Sequence, residues 1–251
     1  MIALASTAAQ PLLASQLQQL HSSRYVVVPN WISPLQTAQL QRDARAVDAH
    51  QGYECAIGTP SSGTVRVDLG VRRSRQARLY PPPSNAAGCV ATRAAMIDAV
   101  NELRSELQRS PLLGLPKLHA FETELTYLCY PCGGLYQRHL DQPYHNSGWV
   151  RKGRCAADGG SFSGGRTRRV VSFILYLNSG WAAEDGGALR IFEPHERGCG
   201  TPESQVAPFM EDVLPEGGTL VLFMSGDVEH LVRETHAERQ CASCPPSNHQ
   251  M

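Results

Sequence analysis

A chain of 251 residues can bury a substantial core in one compact domain, and nothing in its composition forces a second. Its 23 Lys and Arg balance 23 Asp and Glu, so no global charge recruits nucleic acid or an anionic membrane, and neither partner is expected. No apolar run approaches the roughly 20 residues of a spanning helix and the first residues lack the basic start of a secretory signal, so a cytoplasmic location is expected, with an organelle or the nucleus left open.

Residues 1–20 read as a flexible terminus ahead of one domain over residues 21–251. Tyr25 to Val28 is a β-branched strand signal, and Ser33-Pro34 supplies an N-cap with proline at the first helical position, which predicts a helix to about residue 48. Residues 50–88 mix Gly, Pro and Ser with short apolar pieces and read as loops and edge strands. From Val90 to Leu107 apolar residues recur every three to four positions, the pattern of a helix with one buried face. After Pro116 the segments 121–130, 135–140, 170–177, 188–192, 220–223 and 228–232 read as short strands between glycines and prolines. The whole predicts a mainly β fold with flanking helices, a sandwich or jelly roll. The longest gap, residues 142–169, is Gly- and Ser-rich and carries Arg151, Lys152, Arg154, Arg166, Arg168 and Arg169 against one acid, Asp158. It reads as a mobile basic loop, either a lid favouring acidic or phosphate-bearing peptides or a solvated insert.

Two residues apart, His139 and Asp141 close a predicted strand, where alternation turns both to one face. His230, in another strand, completes a set of two histidines and one carboxylate, the facial triad of non-haem Fe(II) oxygenases, although zinc or a structural metal stays open. Arg239 follows His230 by nine residues, so an adjacent strand can carry its guanidinium deeper, where it suits the far carboxylate of 2-oxoglutarate. The eight cysteines read as reduced thiols; Cys129-x-x-Cys132 and Cys241-x-x-Cys244 outline a four-thiolate zinc site, a reading weakened by their separation of more than 100 residues. His236-Ala237-Glu238 with Cys241 and Cys244 imitates a zinc deaminase signature without its separate proline-led cysteine pair.

Cys129-Tyr130-Pro131 through Tyr136-Gln137-Arg138-His139-Leu140-Asp141, then Tyr176-Leu177-Asn178, Gly186-Gly187-Ala188-Leu189-Arg190-Ile191-Phe192 and the stretch from His230 to Arg239 resemble, in order and spacing, the Fe(II)- and 2-oxoglutarate-dependent prolyl 4-hydroxylases. The resemblance covers about residues 120–243, the expected catalytic core, and the Arg nine past the distal His is more similar to the hypoxia-type branch than to the collagen-type branch, which uses Lys. It implies a double-stranded β-helix (jelly roll) in which His139, Asp141 and His230 bind Fe(II) and Arg239 binds the side-chain carboxylate of 2-oxoglutarate. Tyr176 then matches a co-substrate tyrosine, Tyr130 a tyrosine of the pocket wall, and Ser243 a hydroxyl supporting the same carboxylate. The implied reaction takes O2 and 2-oxoglutarate as co-substrates, with ascorbate as an accompanying reductant, releases succinate and CO2, and hydroxylates a prolyl residue of a peptide or protein. One departure lies at the end, where residues 241–251 are short and contain Pro245-Pro246 in place of a longer aromatic strand. An incomplete last strand would hold Arg239 poorly and favour a non-catalytic jelly-roll binding module. A further alternative keeps the oxygenase chemistry on another side chain or a small molecule.

Overall fold

The computed structural model describes residues 9–50, 53–55, 68–80, 87–119, 125–142, 149–150, 166–194 and 208–243. Helix α1, Ala14–Ser23, comes first and corrects the expectation of a flexible terminus over residues 1–20, of which 1–8 lie outside the described residues. The helix is largely polar, yet Leu20 is fully buried and Leu17 packs on the same core. Burying one such leucine stabilises by roughly 1.5–3 kcal/mol, enough to hold a helix too short to persist alone. Strand β1 (Tyr25–Val28) follows, then α2 (Pro34–Ala49), which begins where the cap predicts. Ser33 Oγ accepts from the Gln36 N–H while the Gln36 side chain accepts from the Ser33 N–H.

Strands β2 (Glu54–Cys55), β3 (Arg72–Arg73) and β4 (Arg75–Tyr80) precede α3 (Val90–Arg109). Then come β5 (Leu125–Tyr130), β6 (Leu135–His139), β7 (Trp149–Val150), β8 (Arg166–Thr167) and β9 (Val171–Tyr176). The chain continues through β10 (Leu189–Phe192), β11 (Phe209–Val213), β12 (Leu220–Met224), β13 (His230–Val232) and β14 (Arg239–Ser243). A seven-stranded sheet runs β1-β12-β9-β14-β5-β4-β2, a five-stranded sheet runs β11-β10-β13-β6-β3, and β7 pairs with β8 apart from both. From β5 onward the chain passes repeatedly from the larger sheet to the smaller and back, the winding of a double-stranded β-helix with helices outside.

Alternation along the strands divides the interior in two. On the larger sheet Leu125, Tyr127, Leu175 and Leu222 face the helices and meet Leu40, Val100 and Leu103. Leu128, Tyr130, Tyr176, Val221 and Phe223 face the smaller sheet and meet Tyr136, Leu189 and Val232. The site lies on this second side. The helix layer is pinned by a buried carboxylate, Asp43 of α2, which accepts from Tyr127 Oη at 2.8 Å and from the Cys89 N–H, and lies 3.8 Å from Arg93 Nε.

The short last strand is built into the larger sheet between two neighbours. β14 pairs with β5 over Arg239↔Tyr130 to Ser243↔Thr126, and with β9 over Cys241↔Tyr176 to Ser243↔Ile174. The expectation of an incomplete strand is therefore corrected: five residues suffice because both neighbours are already in place. Of the expected basic lid, residues 143–148 and 151–165 lie outside the described residues. Its two ends, Gln142 and Arg169, are buried rather than loop-like.

Candidate functional site

His139 ends β6 and pairs across the smaller sheet with His230, the first residue of β13. The register then slips, because Val232 pairs with Tyr136: three steps of β6 stand against two of β13. This is a β-bulge, and it has a chemical result. Residues three apart on a regular strand face opposite sides, whereas here the rings of Tyr136 and His139 stack with centroids 3.6 Å apart. The tight turn ahead of β6 fixes the entry, since a Cβ on Gly134 would stand 2.6 Å from the Pro131 carbonyl oxygen.

Asp141 lies beyond the strand, in a bend, so that bend and not strand alternation brings it back towards His139. Its Oδ1 is 3.4 Å from His139 Nε2 and 3.8 Å from His230 Nε2, and one ligand atom from each residue fits within 4.8 Å. His139 Nδ1 lies 2.7 Å from the Gln137 carbonyl and His230 Nδ1 3.2 Å from that of Val228. A carbonyl only accepts, so both Nδ1 atoms carry protons, and each ring in its neutral form presents an Nε2 lone pair inward. Two imidazole lone pairs and a carboxylate oxygen then face one point, a donor set that suits a divalent cation. Among the described residues no other His, Cys, Asp or Glu group comes together in this way.

The rest of the surroundings fixes the carboxylate. Ser172 Oγ donates to Asp141 Oδ2, and Arg169 Nη1 lies 3.9 Å from the same oxygen. Burial works to raise the Asp141 pKa, but in the acid range, where the imidazoles are protonated, the His139 hydrogen bond and the charges of His230 and Arg169 outweigh it and hold the group well below the usual carboxylate range. Burial, aided by His139, pushes His230 down to about 4. At neutral pH the pair is thus one anion and one neutral imidazole, the forms a metal requires. The metal-free protein should lose stability on acidification between about pH 6.5 and 4, since the unfolded chain takes up a proton that folded His230 refuses. The depressed Asp141 acts with the same sign at lower pH. The loss attributable to His230 should be on the order of 3 kcal/mol near the acid end. Urea midpoints against pH measure it, and identical profiles for wild type and His230→Asn would show that another group is responsible.

Residues 125–244 match the family model described as the 2OG-Fe(II) oxygenase superfamily. A prolyl-4-hydroxylase from Pseudomonas putida is 26% identical over 93% of this chain and 97% of its own, with a TM-score of 0.65. Residues 125–244 of this chain carry a 2OG-Fe(II) oxygenase domain. The chain is a 2-oxoglutarate-dependent dioxygenase, and Fe(II), 2-oxoglutarate and O2 are its reagents. More distant proteins share the fold of this oxygenase. A Trichoplax adhaerens prolyl hydroxylase, solved with a hypoxia inducible factor peptide fragment, is 18% identical over 91% of this chain and 85% of its own, with a TM-score of 0.65. HygX from Streptomyces hygroscopicus, solved with nickel, 2-oxoglutarate and hygromycin B, is 15% identical over 92% and 86%, with a TM-score of 0.53.

In this oxygenase the remaining candidates lie on strands β5, β9 and β14 of the larger sheet. Tyr130 and Tyr176 are buried on the face between the sheets, in the cluster that includes Phe223, whose ring lies 4.5 Å from that of His230. Arg239 begins β14, paired with Tyr130, and Ser243 ends it, paired with Thr126. The zinc alternatives find no support among the described residues. Cys129 and Cys241 are buried and Cys132 is exposed, while Cys244 lies outside them. Burial pushes the Cys129 thiol up to about 12, away from the thiolate a metal needs. His236 is turned to the Glu184 carbonyl and Glu238 towards Arg75, so the deaminase-like string does not assemble.

Reading the sequence did not single out Arg169, Ser172, Ser225 or the stacking role of Tyr136. In the sequence Arg169 is indistinguishable from the arginines of the basic loop, and Ser172 stands out only as a serine inside an apolar strand. Burying a hydroxyl calls for a partner. No described helix is long and apolar enough to cross a membrane.

Proposed function

We propose that this oxygenase hydroxylates prolyl residues in peptides or proteins, with His139, Asp141 and His230 holding Fe(II) and Arg239 receiving the far carboxylate of 2-oxoglutarate. The observation that carries the reading is the convergence of three inward-facing donors in a chain that parallels the Pseudomonas putida prolyl-4-hydroxylase over nearly its whole length. Bound Fe(II) supplies the oxidising chemistry, in which O2 and 2-oxoglutarate yield succinate, CO2 and a hydroxylated substrate carbon. The protein's own contribution is placement. The smaller sheet presents the two imidazoles, the bend after β6 presents the carboxylate, and the larger sheet closes the pocket with Tyr130, Tyr176 and Phe223, which keep water from the reacting centre. Tyr176 and Ser243, on the neighbouring strands β9 and β14 of the larger sheet, are assigned to the co-substrate's carboxylate.

A peptide array tests the substrate class. Purified protein with Fe(II), 2-oxoglutarate and ascorbate is applied to proline-containing peptides and to the same peptides with every proline replaced by alanine. The expected result is succinate release coupled to the mass gain of one oxygen atom on the proline peptides alone. An equal gain on the alanine set would move the reaction to another side chain. Succinate release coupled to a small molecule, with no peptide modified, would replace the peptide reading altogether.

A further inference from the structure

We propose that Ser172 and Ser225 form a two-hydroxyl relay of positioning residues that fixes Asp141 so that it offers a metal ion one oxygen, Oδ1. The proposal rests on the reading of Asp141 as a ligand and concerns how that ligand is held. Ser172 lies inside β9 and Ser225 directly follows β12, neighbouring strands of the larger sheet, and neither serine is exposed at all. Ser172 Oγ donates to Asp141 Oδ2, and Ser225 Oγ lies 2.8 Å from Ser172 Oγ. An ionised carboxylate only accepts, which orients the chain of donors: Ser225 donates to Ser172, and Ser172 to Asp141. The backbone of the relay is tied down at both sides, because the Gln142 N–H donates to the Ser225 carbonyl at 2.9 Å and the Ser225 N–H to the Val170 carbonyl at 3.0 Å. Asp141 therefore hangs from the larger sheet by Oδ2, while both histidines of the smaller sheet face Oδ1.

Two consequences follow from the chemistry. A carboxylate free to rotate about its terminal torsion can present either oxygen or both, whereas a hydrogen bond to one oxygen selects a single-oxygen mode. Groups that orient a metal ligand typically change metal affinity by about 10–100-fold when removed. The competing account is that two buried hydroxyls merely satisfy each other, in which case a side chain of the same shape without the hydroxyl should bind metal as well.

The test titrates the metal-free full-length chain with Co(II), without 2-oxoglutarate and without oxygen, following affinity by calorimetry and coordination by the visible d–d bands. The variants are Ser172→Thr, Ser172→Val, Ser225→Ala and Asp141→Ala. Threonine keeps the hydroxyl and should retain near wild-type affinity and bands. Valine, its near-isostere, should weaken Co(II) binding by about 10–100-fold with altered bands, and Ser225→Ala should shift affinity in the same direction by a smaller factor. Valine binding as tightly as threonine, with Asp141→Ala weak, overturns the relay and leaves Asp141 as a ligand. Asp141→Ala binding as tightly as wild type overturns the ligand reading and the relay with it. Should Ser172→Val fail to fold, Ser225→Ala decides, and wild-type affinity in that variant overturns the relay.

Discussion

Replacing His139 or His230 with alanine is expected to reduce 2-oxoglutarate-coupled turnover below detection and to remove most Co(II) binding. Each histidine supplies one of three donors, and the two are not interchangeable with solvent: both Nδ1 protons are committed to backbone carbonyls, so only Nε2 can bind and only in the direction the strands impose. The effects on the fold should differ. His230 is buried against Phe223, so its truncation opens a cavity between the sheets and should lower the unfolding midpoint. His139, at the strand end and partly exposed, should cost less. Succinate release, Co(II) calorimetry and thermal unfolding separate the two contributions. Full turnover by both variants would remove the assignment of the triad, whatever their stability.

Much of the fold is legible because local chemistry and burial agree. Ser33, Pro34 and Gln36 announce the start of α2, and the apolar spacing of α3 places Met96, Val100, Leu103 and Leu107 on its buried face. Strand β4 was harder to see. Its Ala77 and Leu79 alternate correctly into the helix-side core, but the arginines around them mask the pattern, and Arg75 is held by contacts distant in sequence: Asp48, which its guanidinium meets at 3.1 Å through Nη2, Glu238 and the Tyr53 ring. Strand β11 hides for a different reason. It is an edge strand, and Phe209, Met210 and Glu211 are all exposed, so no alternation marks it.

The site divides along the same line. His139, Asp141 and His230 are visible as residue types at suggestive spacings. What sets their geometry is tertiary: a bulge that exists only because β6 and β13 are one residue out of step, and a serine pair from two strands more than 50 positions apart in sequence. The short C-terminus misled for a related reason. Strand completeness looked like a matter of length, but it depends on whether partners flank the strand, and β5 and β9 do.

Substituting Arg239 with alanine is expected to weaken 2-oxoglutarate binding by about two to three orders of magnitude while leaving Co(II) affinity nearly unchanged. If Arg239 receives the far carboxylate as proposed, its removal leaves that charge unpaired, and breaking such a pair out of water costs roughly 3–5 kcal/mol. The proposed metal ligands belong to β6, β13 and the bend after β6, none of which carries Arg239, so the two affinities should separate. Lysine at this position should restore only part of the loss, since an ammonium cannot pair with a carboxylate through two parallel N–H bonds. The position itself favours precision, because β14 is paired on both sides in the middle of the larger sheet and Arg239 stands opposite the buried Tyr130. Calorimetry of 2-oxoglutarate into the Co(II)-loaded protein gives the comparison directly. Unchanged affinity in Arg239→Ala would show that another cation binds the co-substrate, and two sequence neighbours of the strands concerned already have a partner: Arg190 pairs with Asp212 at 2.7 Å and Arg233 meets the same carboxylate at 3.1 Å.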